Sequence, residues 1–374
     1  MSRLRARAAT VAGALLRRAA SAPRLPESTP KRILLAHHLL LGDTLLLAPL
    51  MAKLAARYPQ AERIVLARPA VAPLFAGRPW GWRAESFDVR DAGLAARLRT
   101  DAGFDLAYVL GDNRYAWLAR AAGARWIVGF GGDRPAWKNW MLDEACAHAT
   151  TPMAWADMAA TLAEGGPPPA YRRGDWPMPP TADFPRPAGD YAVLHVGASS
   201  PLKAWPAERW AALAAALAAR GLAIVWSAGH GEAALVTAAD PDERWPRHCG
   251  SLDLPQLWQL IDGARLLVCP DTGIAHLGRV VGTPTVTLFG PGSAQIHGAG
   301  AFWRDSPFVA ATVDPFPCRD QDILFRRRIA WVRRCGRPPG HNSGQCPEPA
   351  CMTALEPETV QQSIAELLSL GPAV

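Results

Sequence analysis

The sequence lacks any stretch of roughly 18 uninterrupted apolar residues, so we predict no membrane-spanning helix among its 374 residues. The dinucleotide fingerprint Gly-x-Gly-x-x-Gly is also missing from both strand-to-helix turns that should carry it, which argues against a dehydrogenase. No internal repeat of fixed period is apparent. At this length, two domains are expected.

Outside its first 32 residues the chain lacks net charge. Residues 1–32 hold eight basic residues against one acidic residue, which equals the net charge of +7 of the whole chain. The neutral remainder argues against a nucleic-acid-binding surface and for a basic amino-terminal arm over residues 1–30. Its apolar run, 8–16, is too weak for a secretory signal. We therefore expect peripheral contact with anionic lipid, with a disordered tail as the alternative.

Cysteines are few, and the sequence lacks the paired Cys-x₂-Cys knuckles of a zinc ribbon. Four of the seven, Cys318, Cys335, Cys346 and Cys351, nevertheless fall within the last sixth of the chain. Reduced structural thiols, a zinc site and disulfides all remain open for this group, although the odd total disfavours a disulfide framework. No metal ligands are assigned and no cofactor is expected.

The order of apolar and polar segments predicts an α/β protein. A strand over 32–38, a helix over 44–57 and a strand over 63–67 form an opening βαβ unit, and further strands are expected at 105–110 and 126–130. Eight prolines in 165–190 exclude a continuous helix or central strand, so we place a linker there. The predicted organisation has a first domain (31–164), a linker (165–190), a second domain (191–314) and a Cys-bearing basic tail (315–374) with helical periodicity over 356–368.

The segment from Asp271 to His276 carries the strongest local signal. It lies between the apolar runs 264–269 and 284–289, an order typical of strand, turn, helix and strand. The first N–H groups of such a helix and its positive dipole end suit a phosphate. His276 follows Thr272 by four residues and therefore faces the same side of the first turn. The alternative is that Asp271 and Thr272 only cap the helix.

Two more strand ends of this half carry polar groups. A strand from residue 191 leads to Lys203 and then to a helix near Pro206, and a strand over 222–227 leads to Glu232. Ligands of open α/β sheets bind at the carboxyl ends of the strands. The sequence therefore places a ligand site among Lys203, Glu232 and the turn at Asp271.

Several motifs of the chain together resemble a known family. The strings HVGASSPLKAWPAERW, GHGE, CGSLDLPQL and PDTGIAHLG…GTPTVTLFGP, in this order and spacing, resemble glycosyltransferase family 9, the ADP-heptose:lipopolysaccharide heptosyltransferase family. The family's amino-terminal signature matches an apolar strand followed by Gly42-Asp43 and then Pro49. The resemblance covers about residues 31–360. It implies an α/β fold of the GT-B type, with two Rossmann-like domains facing each other across a cleft.

The resemblance also implies a reaction and its participants. The expected reaction is inverting transfer of heptose from ADP-heptose to an anionic lipopolysaccharide core acceptor, at the cytoplasmic face of the inner membrane. Asp43 is implied to be the general base. Lys203 and the helix beginning at Thr272 would stabilise the leaving diphosphate without a metal ion. The D-x-D string at Asp320 and Asp322 is expected to be solvated.

Six residues of the second domain are implied to bind the donor. Lys203 would bind phosphate and pair with Asp271, and Glu232 would hold the adenosine ribose. The backbone N–H groups of Thr272 and Gly273 would bind the diphosphate, and the imidazole of His276 would assist them. The set is Lys203, Glu232, Asp271, Thr272, Gly273 and His276. For four residues a purely structural alternative remains open. It is a solvated surface charge for Lys203, an acid at a helix start for Glu232, an N-cap residue for Asp43 and a buried structural histidine for His276.

Three other functions remain open. They are transfer of another sugar from its nucleotide or to another acceptor, a non-catalytic sugar-nucleotide-binding protein, and a nucleotide-sugar epimerase of GT-B architecture. A non-catalytic relative would be expected to lose Asp43 or Lys203, and both are present. His37 and His38 depart from the polar or basic residues that the family often has there, which leaves the acceptor contacts open.

Overall fold

A computed structural model describes residues 3–20, 22–25, 29–99, 103–337, 346 and 349–369. The chain divides into two compact units. Unit 1 comprises residues 1–151, 156–169 and 323–330, and unit 2 comprises 152–155, 170–322 and 331–374. The predicted arm and tail lie partly outside the described residues, at 1–2, 21, 26–28, 338–345, 347–348 and 370–374.

Unit 1 contains a six-stranded parallel sheet in the order β3-β2-β1-β4-β5-β6. Its strands are β1 Arg32–Ala36, β2 Glu62–Ala67, β3 Trp82–Ser86, β4 Phe104–Val109, β5 Ala124–Phe130 and β6 Glu144–Cys146. The helices of this half are α1 Arg3–Ala20, α2 Leu41–Leu45, α3 Ala48–Arg57, α4 Leu94–Leu98, α5 Tyr115–Ala121 and α6 Trp155–Ala160. Short 3₁₀ turns occupy Ala72–Phe75, Pro79–Gly81 and Ala136–Met141.

Unit 2 contains a second six-stranded parallel sheet, in the order β12-β11-β10-β7-β8-β9. Its strands are β7 Tyr191–His195, β8 Ala223–Ala228, β9 Arg247–Cys249, β10 Leu266–Pro270, β11 Thr285–Phe289 and β12 Phe308–Thr312. Its helices are α7 Ala207–Ala218, α8 Ala233–Ala239, α9 Leu254–Asp262, α10 Gly273–Val281, α11 Ala294–His297, α12 Ala350–Thr353 and α13 Pro357–Ser369. A 3₁₀ turn at Pro201–Lys203 precedes α7.

Both sheets follow the doubly wound order of a Rossmann fold, which confirms the predicted α/β class with two Rossmann-like domains. In unit 2 the central strands β7, β10 and β11 are buried along their whole length, as strands covered by helices on both faces must be. Each sheet reverses its strand order at one point, between β1 and β4 in unit 1 and between β7 and β10 in unit 2. Ligands of such sheets bind outside the carboxyl ends of the strands at this point.

Three segments differ from the expectations. The amino-terminal arm, for which a disordered tail was only the alternative, is an 18-residue helix, α1, that packs on α5. The predicted helix over 44–57 is two helices, because α2 already begins at Leu41 and a turn separates it from α3. The tail is shared between the units: residues 323–330 pack in unit 1, while α13 buries Val360, Ile364 and Leu367 in unit 2. Among the described residues no helix is long and apolar enough to cross a membrane.

Candidate functional site

An ion pair lies at the switch point of the unit 2 sheet. Lys203 ends the 3₁₀ turn that follows β7, and Asp271 directly follows β10, the strand beside β7. Lys203 Nζ lies 3.1 Å from Asp271 Oδ2 and 2.5 Å from the carbonyl oxygen of Asp271. The side chain of Lys203 is 24% exposed, whereas that of Asp271 is 5% exposed. The pairing that the resemblance implied is therefore present, with the ammonium on the solvent side.

Asp271 is held as an anion in a fixed position. Burial alone would raise the pKa of its carboxyl, but the positive charge of Lys203, with smaller contributions from His297 and His276, holds the pKa below its ordinary value. Its Oδ2 lies only 2.2 Å from the position that a Cβ would occupy on Gly292. Any side chain at 292 would displace the carboxylate, and so Gly292 belongs to the site although sequence reasoning did not include it.

The amino terminus of α10 begins beside this ion pair. Thr272 is its N-cap, and the Thr272 hydroxyl accepts a hydrogen bond from the N–H of Ile274 at 3.3 Å. The capping interpretation is therefore correct for the Thr272 side chain. A helix leaves its first N–H groups without intrahelical acceptors, which places the N–H of Gly273 at the positive end of the nine-residue helix. Capping and anion binding are compatible here, because they use different N–H groups.

Two histidines lie next to Asp271. His276 is buried, and its Nδ1 has no hydrogen-bond partner among the described residues. Burial lowers the pKa of His276 well below its usual range, and burial likewise lowers the pKa of His297 to about 4. Their ring centroids are 6.3 Å apart. Both rings are therefore neutral at pH 7 and can donate or accept hydrogen bonds; no sequence signal pointed to His297.

Arg279 fixes the segment that carries His297. It is buried in α10 and donates to the carbonyl oxygens of Gly298 at 2.8 Å and His297 at 2.9 Å. Its guanidinium also lies 3.8 Å from the centre of the Phe308 ring. Burial lowers the pKa of Arg279 to about 9, so it remains protonated at neutral pH. Arg279 therefore positions the segment that carries His297. In the sequence, the helical periodicity does not distinguish this arginine from a solvated charge on a helix surface.

Glu232 joins the loops after β7 and β8. It is the N-cap residue of α8, and its carboxylate accepts hydrogen bonds from the N–H groups of Gly229 at 2.7 Å and Ala198 at 3.1 Å. A Cβ on Gly197 would lie 2.0 Å from Glu232 Oε2, which explains the glycine in the HVG string. The observed contacts are with backbone, and the ribose contact stays a prediction.

Asp43 lies in unit 1, after β1 at the switch point of that sheet. It is partly buried within the first turn of α2 rather than in a turn before the helix. Leu40 is the N-cap residue of this helix, so the alternative N-cap role for Asp43 is wrong. The preceding His37 is buried with its Nδ1 accepting from the N–H of Leu39 at 3.2 Å, and burial lowers its pKa to about 3. His37 is therefore a buried neutral histidine whose Nε2 has no hydrogen-bond partner among the described residues.

The tail cysteines Cys318, Cys335 and Cys351 are free thiols in the structure, as are Cys146, Cys249 and Cys269. Cys351 Sγ lies 3.2 Å from the position of a Cβ on Gly290, at the end of β11. Across the described part of the chain, no group of three or more His, Cys, Asp or Glu side chains is arranged to hold a metal ion. Of the D-x-D string, Asp320 accepts a hydrogen bond from Arg337 at 3.2 Å and is exposed.

Two Rossmann-like sheets, one of which has a lysine–aspartate pair and a helix amino terminus at its switch point, define a protein of the GT-B class. The sequence profile of glycosyltransferase family 9 (heptosyltransferase) matches residues 93–306, which is more than half of the chain. The chain belongs to glycosyltransferase family 9. Asp43 and the Gly-Asp signature lie before the matched region.

Known proteins are similar to this chain in part of the sequence and in the fold. Lipopolysaccharide heptosyltransferase 1 of Pseudomonas aeruginosa is 27% identical over 192 residues, and the match spans 49% of each chain, so this chain covers about half the length of that curated relative. The structure of Escherichia coli ADP-heptose lipopolysaccharide heptosyltransferase II matches with a TM-score of 0.65 at 20% identity, over 91% of this chain and 99% of that one. A glycosyltransferase family 9 structure from Veillonella parvula matches with a TM-score of 0.69 at 17% identity, over 93% and 100%.

Proposed function

We propose that the chain is an inverting heptosyltransferase that moves heptose from ADP-heptose to an anionic sugar of a lipopolysaccharide core. The observation that carries this proposal is the Lys203–Asp271 pair beside the amino terminus of α10. A partly exposed ammonium and a helix amino terminus both favour a diphosphate. Neutral His276, with an unpartnered buried Nδ1, supplies a further hydrogen-bonding group at the same place.

In this proposal unit 2 binds the donor. Lys203 and the N–H groups at Thr272 and Gly273 stabilise the negative charge that develops on the departing ADP, so that no divalent metal ion is needed. Asp271 keeps the Lys203 ammonium in place, and Glu232 holds the ribose. If ADP-sugar transfer survives excess EDTA, protein groups carry this charge; loss of turnover that magnesium or manganese restores would contradict the metal-free mechanism.

Unit 1 supplies the base. Asp43 accepts the proton of the acceptor hydroxyl while that oxygen forms a bond to the anomeric carbon and the bond to the diphosphate oxygen breaks. Attack from the face opposite the leaving group inverts the anomeric configuration. The support for this role is the position of Asp43 after β1 at the switch point of its sheet, together with the Gly-Asp signature.

The test of the function combines binding with transfer. Calorimetry with ADP, UDP and GDP should show preference for ADP, and ADP-heptose with a delipidated core acceptor should yield a product whose new linkage is inverted by NMR. Preference for UDP or GDP would indicate another sugar nucleotide. ADP binding without transfer to any core acceptor would indicate a binding protein, and an isomerised sugar formed without acceptor would indicate an epimerase.

We also propose that the protein acts at the cytoplasmic face of the inner membrane and contacts anionic lipid through α1. The helix contains five arginines and no acidic residue. Its inner face packs on α5, where a Cβ on Gly13 would lie 3.3 Å from the Cβ of Ala121. The opposite face presents Leu4 and Leu15, which are 79% and 51% exposed. An apolar stripe flanked by arginines is typical of a helix that lies in a membrane interface.

Two exposed tryptophans lie beside α5, the helix on which α1 packs. Trp137 and Trp140 are 41% and 66% exposed, and both rings lie near Trp117 of α5, at centroid distances of 6.2 and 6.5 Å. The helix α5, which α1 also contacts, has seven residues and is therefore about 10 Å long. Tryptophan is enriched at membrane interfaces, where its ring is apolar and its N–H is polar.

Vesicle co-sedimentation tests the membrane contact. Leu4→Ser/Leu15→Ser should weaken binding to anionic vesicles, whereas the control Leu235→Ser/Leu368→Ser, at residues of unit 2 that are 38% and 42% exposed, should not. Binding should also fall as salt rises from about 0.1 M to about 1 M, because the screening length shrinks from about 10 Å to about 3 Å. Equal binding by both double variants would contradict this role for α1.

A further inference from the structure

Unit 1 contains a basic pocket that the mechanism above does not use. The cavity has a volume of about 580 Å³ and lies just beyond the carboxyl end of β5. Eight residues line the cavity, and four of them are arginines: Gly131, Gly132, Arg134, His148, Ile323, Arg326, Arg327 and Arg328. None of these lining residues is acidic.

The tail supplies half of this pocket through a short hairpin. Strands β13 (Ile323–Leu324) and β14 (Arg327–Arg328) pair antiparallel around a two-residue turn. The turn residues Phe325 and Arg326 have φ of 46° and 64°, the left-handed backbone of a type I′ hairpin. This geometry reverses the chain tightly and places Arg326 at the hairpin tip, where its side chain lines the cavity.

Arg327 anchors the hairpin to the sheet. It is 5% exposed and donates to the carbonyl oxygens of Gly111 at 2.7 Å, Gly131 at 2.9 Å and Phe130 at 3.1 Å. These carbonyls follow the ends of β4 and β5, so the tail segment is fixed at the carboxyl edge of the unit 1 sheet. These bonds and an ion pair with the buried Asp133 at 3.7 Å occupy the guanidinium of Arg327, which leaves anion recognition to the more exposed arginines.

The remaining groups make the pocket positive. Arg134, Arg326 and Arg328 are exposed at its walls. His148 stacks on Phe130 with ring centroids 4.4 Å apart, and burial, assisted by the charge of Arg327, lowers its pKa to about 4, so it is neutral at pH 7. A guanidinium matches a phosphate or carboxylate with two parallel N–H donors. A pocket walled by the guanidinium groups of Arg134 and Arg326 selects an anion.

The pocket and the proposed base share one edge of one sheet. Asp43 follows β1, and only β4 separates β1 from β5. Two strand spacings place the ends of β1 and β5 about 10 Å apart. A short chain of sugars can extend over that distance, with its reacting hydroxyl at one end and an anionic group at the other.

We infer that the pocket between the 323–328 hairpin and the carboxyl end of β5 binds an anionic substituent, phosphate or carboxylate, of the acceptor sugar chain. The inference rests on the proposed transferase function and adds the acceptor subsite to it. The tail segment then has a recognition role in unit 1. Arg134 and Arg326 are the specificity-determining residues, and Arg327 positions the hairpin.

Kinetics with matched variants test the subsite. Arg134→Gln/Arg326→Asn removes two guanidinium groups, and asparagine tolerates the left-handed backbone at 326. The acceptor KM should rise about tenfold for each lost guanidinium while kcat and ADP affinity stay unchanged. The control Arg99→Gln/Arg125→Gln removes two exposed arginines elsewhere on unit 1, away from the carboxyl edge, and should change neither value.

The acceptor chemistry provides the second arm. An acceptor whose carboxylates are reduced to alcohols and whose phosphates are removed should show the raised KM with the unaltered protein and no further rise with Arg134→Gln/Arg326→Asn. An equal rise on charged and neutral acceptors, or no rise at all, would overturn the assignment.

A binding readout separates this inference from the transferase proposal. Phenylglyoxal labelling with peptide mass mapping should show that the anionic acceptor protects Arg134 and Arg326, that ADP does not, and that the neutral acceptor does not. Protection without any sugar transfer would leave the pocket intact and refute the transferase function. Protection by anionic phospholipid vesicles, but not by the soluble acceptor, would assign the pocket to a lipid headgroup and overturn the inference.

Discussion

The Lys203–Asp271 pair yields the sharpest prediction, because it links stability to nucleotide binding. Lys203→Met removes two hydrogen bonds, to Asp271 Oδ2 and to its carbonyl oxygen, and leaves a carboxylate that is 5% exposed without its cation. Breaking a fully buried pair costs about 3–5 kcal/mol. Since Lys203 is partly exposed, we expect the free energy of unfolding to fall by about 1–3 kcal/mol.

The same substitution should weaken ADP binding. Loss of one charge-assisted contact to a diphosphate costs about 1.5–3 kcal/mol, which is roughly 10- to 100-fold in Kd. Calorimetry at constant salt measures this value, and urea unfolding measures the stability term. Lys203→Arg, which keeps the charge, should recover part of the affinity but not all, because the guanidinium has a different shape.

A double-mutant cycle checks whether the two residues act as a unit. Lys203→Met/Asp271→Asn contains no unpaired buried charge, so its stability loss should be smaller than the sum of the two single losses, by about 1 kcal/mol or more. Additive stability losses would refute the reasoning. So would an ADP Kd for Lys203→Met within about twofold of that of the unaltered protein, which is a difference in binding free energy of less than about 0.4 kcal/mol.

Three further predictions test other parts of the structure. Asp43→Asn should lower kcat roughly 100-fold or more with unchanged ADP affinity, and near-normal turnover at saturating acceptor would remove Asp43 as the base. Gly197→Ala should displace the Glu232 carboxylate, whose Oε2 lies 2.0 Å from the new Cβ, and weaken ADP binding; Gly166→Ala, which has open space, is the control for calorimetry. Burial lowers the pKa of His195 in the folded protein to about 4, whereas the unfolded chain keeps the ordinary value of 6.5. Between these two values the unfolded chain binds the proton and the folded protein does not. The free energy of unfolding is therefore highest above pH 6.5 and falls as the pH drops toward 4. At pH 5 this histidine should cost about 2 kcal/mol in urea unfolding, a loss that His195→Asn should remove; an unchanged pH dependence in that variant would contradict it.

Local sequence order determined the parts of the fold that depend on contiguous residues. The apolar runs predicted most strands of both sheets to within a few residues, because a strand buried on both faces needs an uninterrupted apolar segment. The turn from Asp271 to His276 was predictable for the same reason, since strand, N-cap and helix follow one another directly. The glycosyltransferase family 9 motifs in unit 2 consist of such contiguous strings, and the profile match confirms the family.

Only the tertiary structure decided the features that join distant segments. Gly292 and His297 belong to the site because the chain returns to Asp271 after β11, and a glycine that makes room for a carboxylate has no local signature. The arginine-rich segment 323–328 resembled a solvated basic tail, yet Arg327 is buried because three backbone carbonyls of unit 1 satisfy its guanidinium. The packing of the arm was decided in a similar way: Gly13 and Ala14 are small enough to pack closely against Ala121 of α5, more than 100 residues away in the chain. Sequence periodicity records which face of a segment is apolar, but the surface that covers that face is decided by the fold.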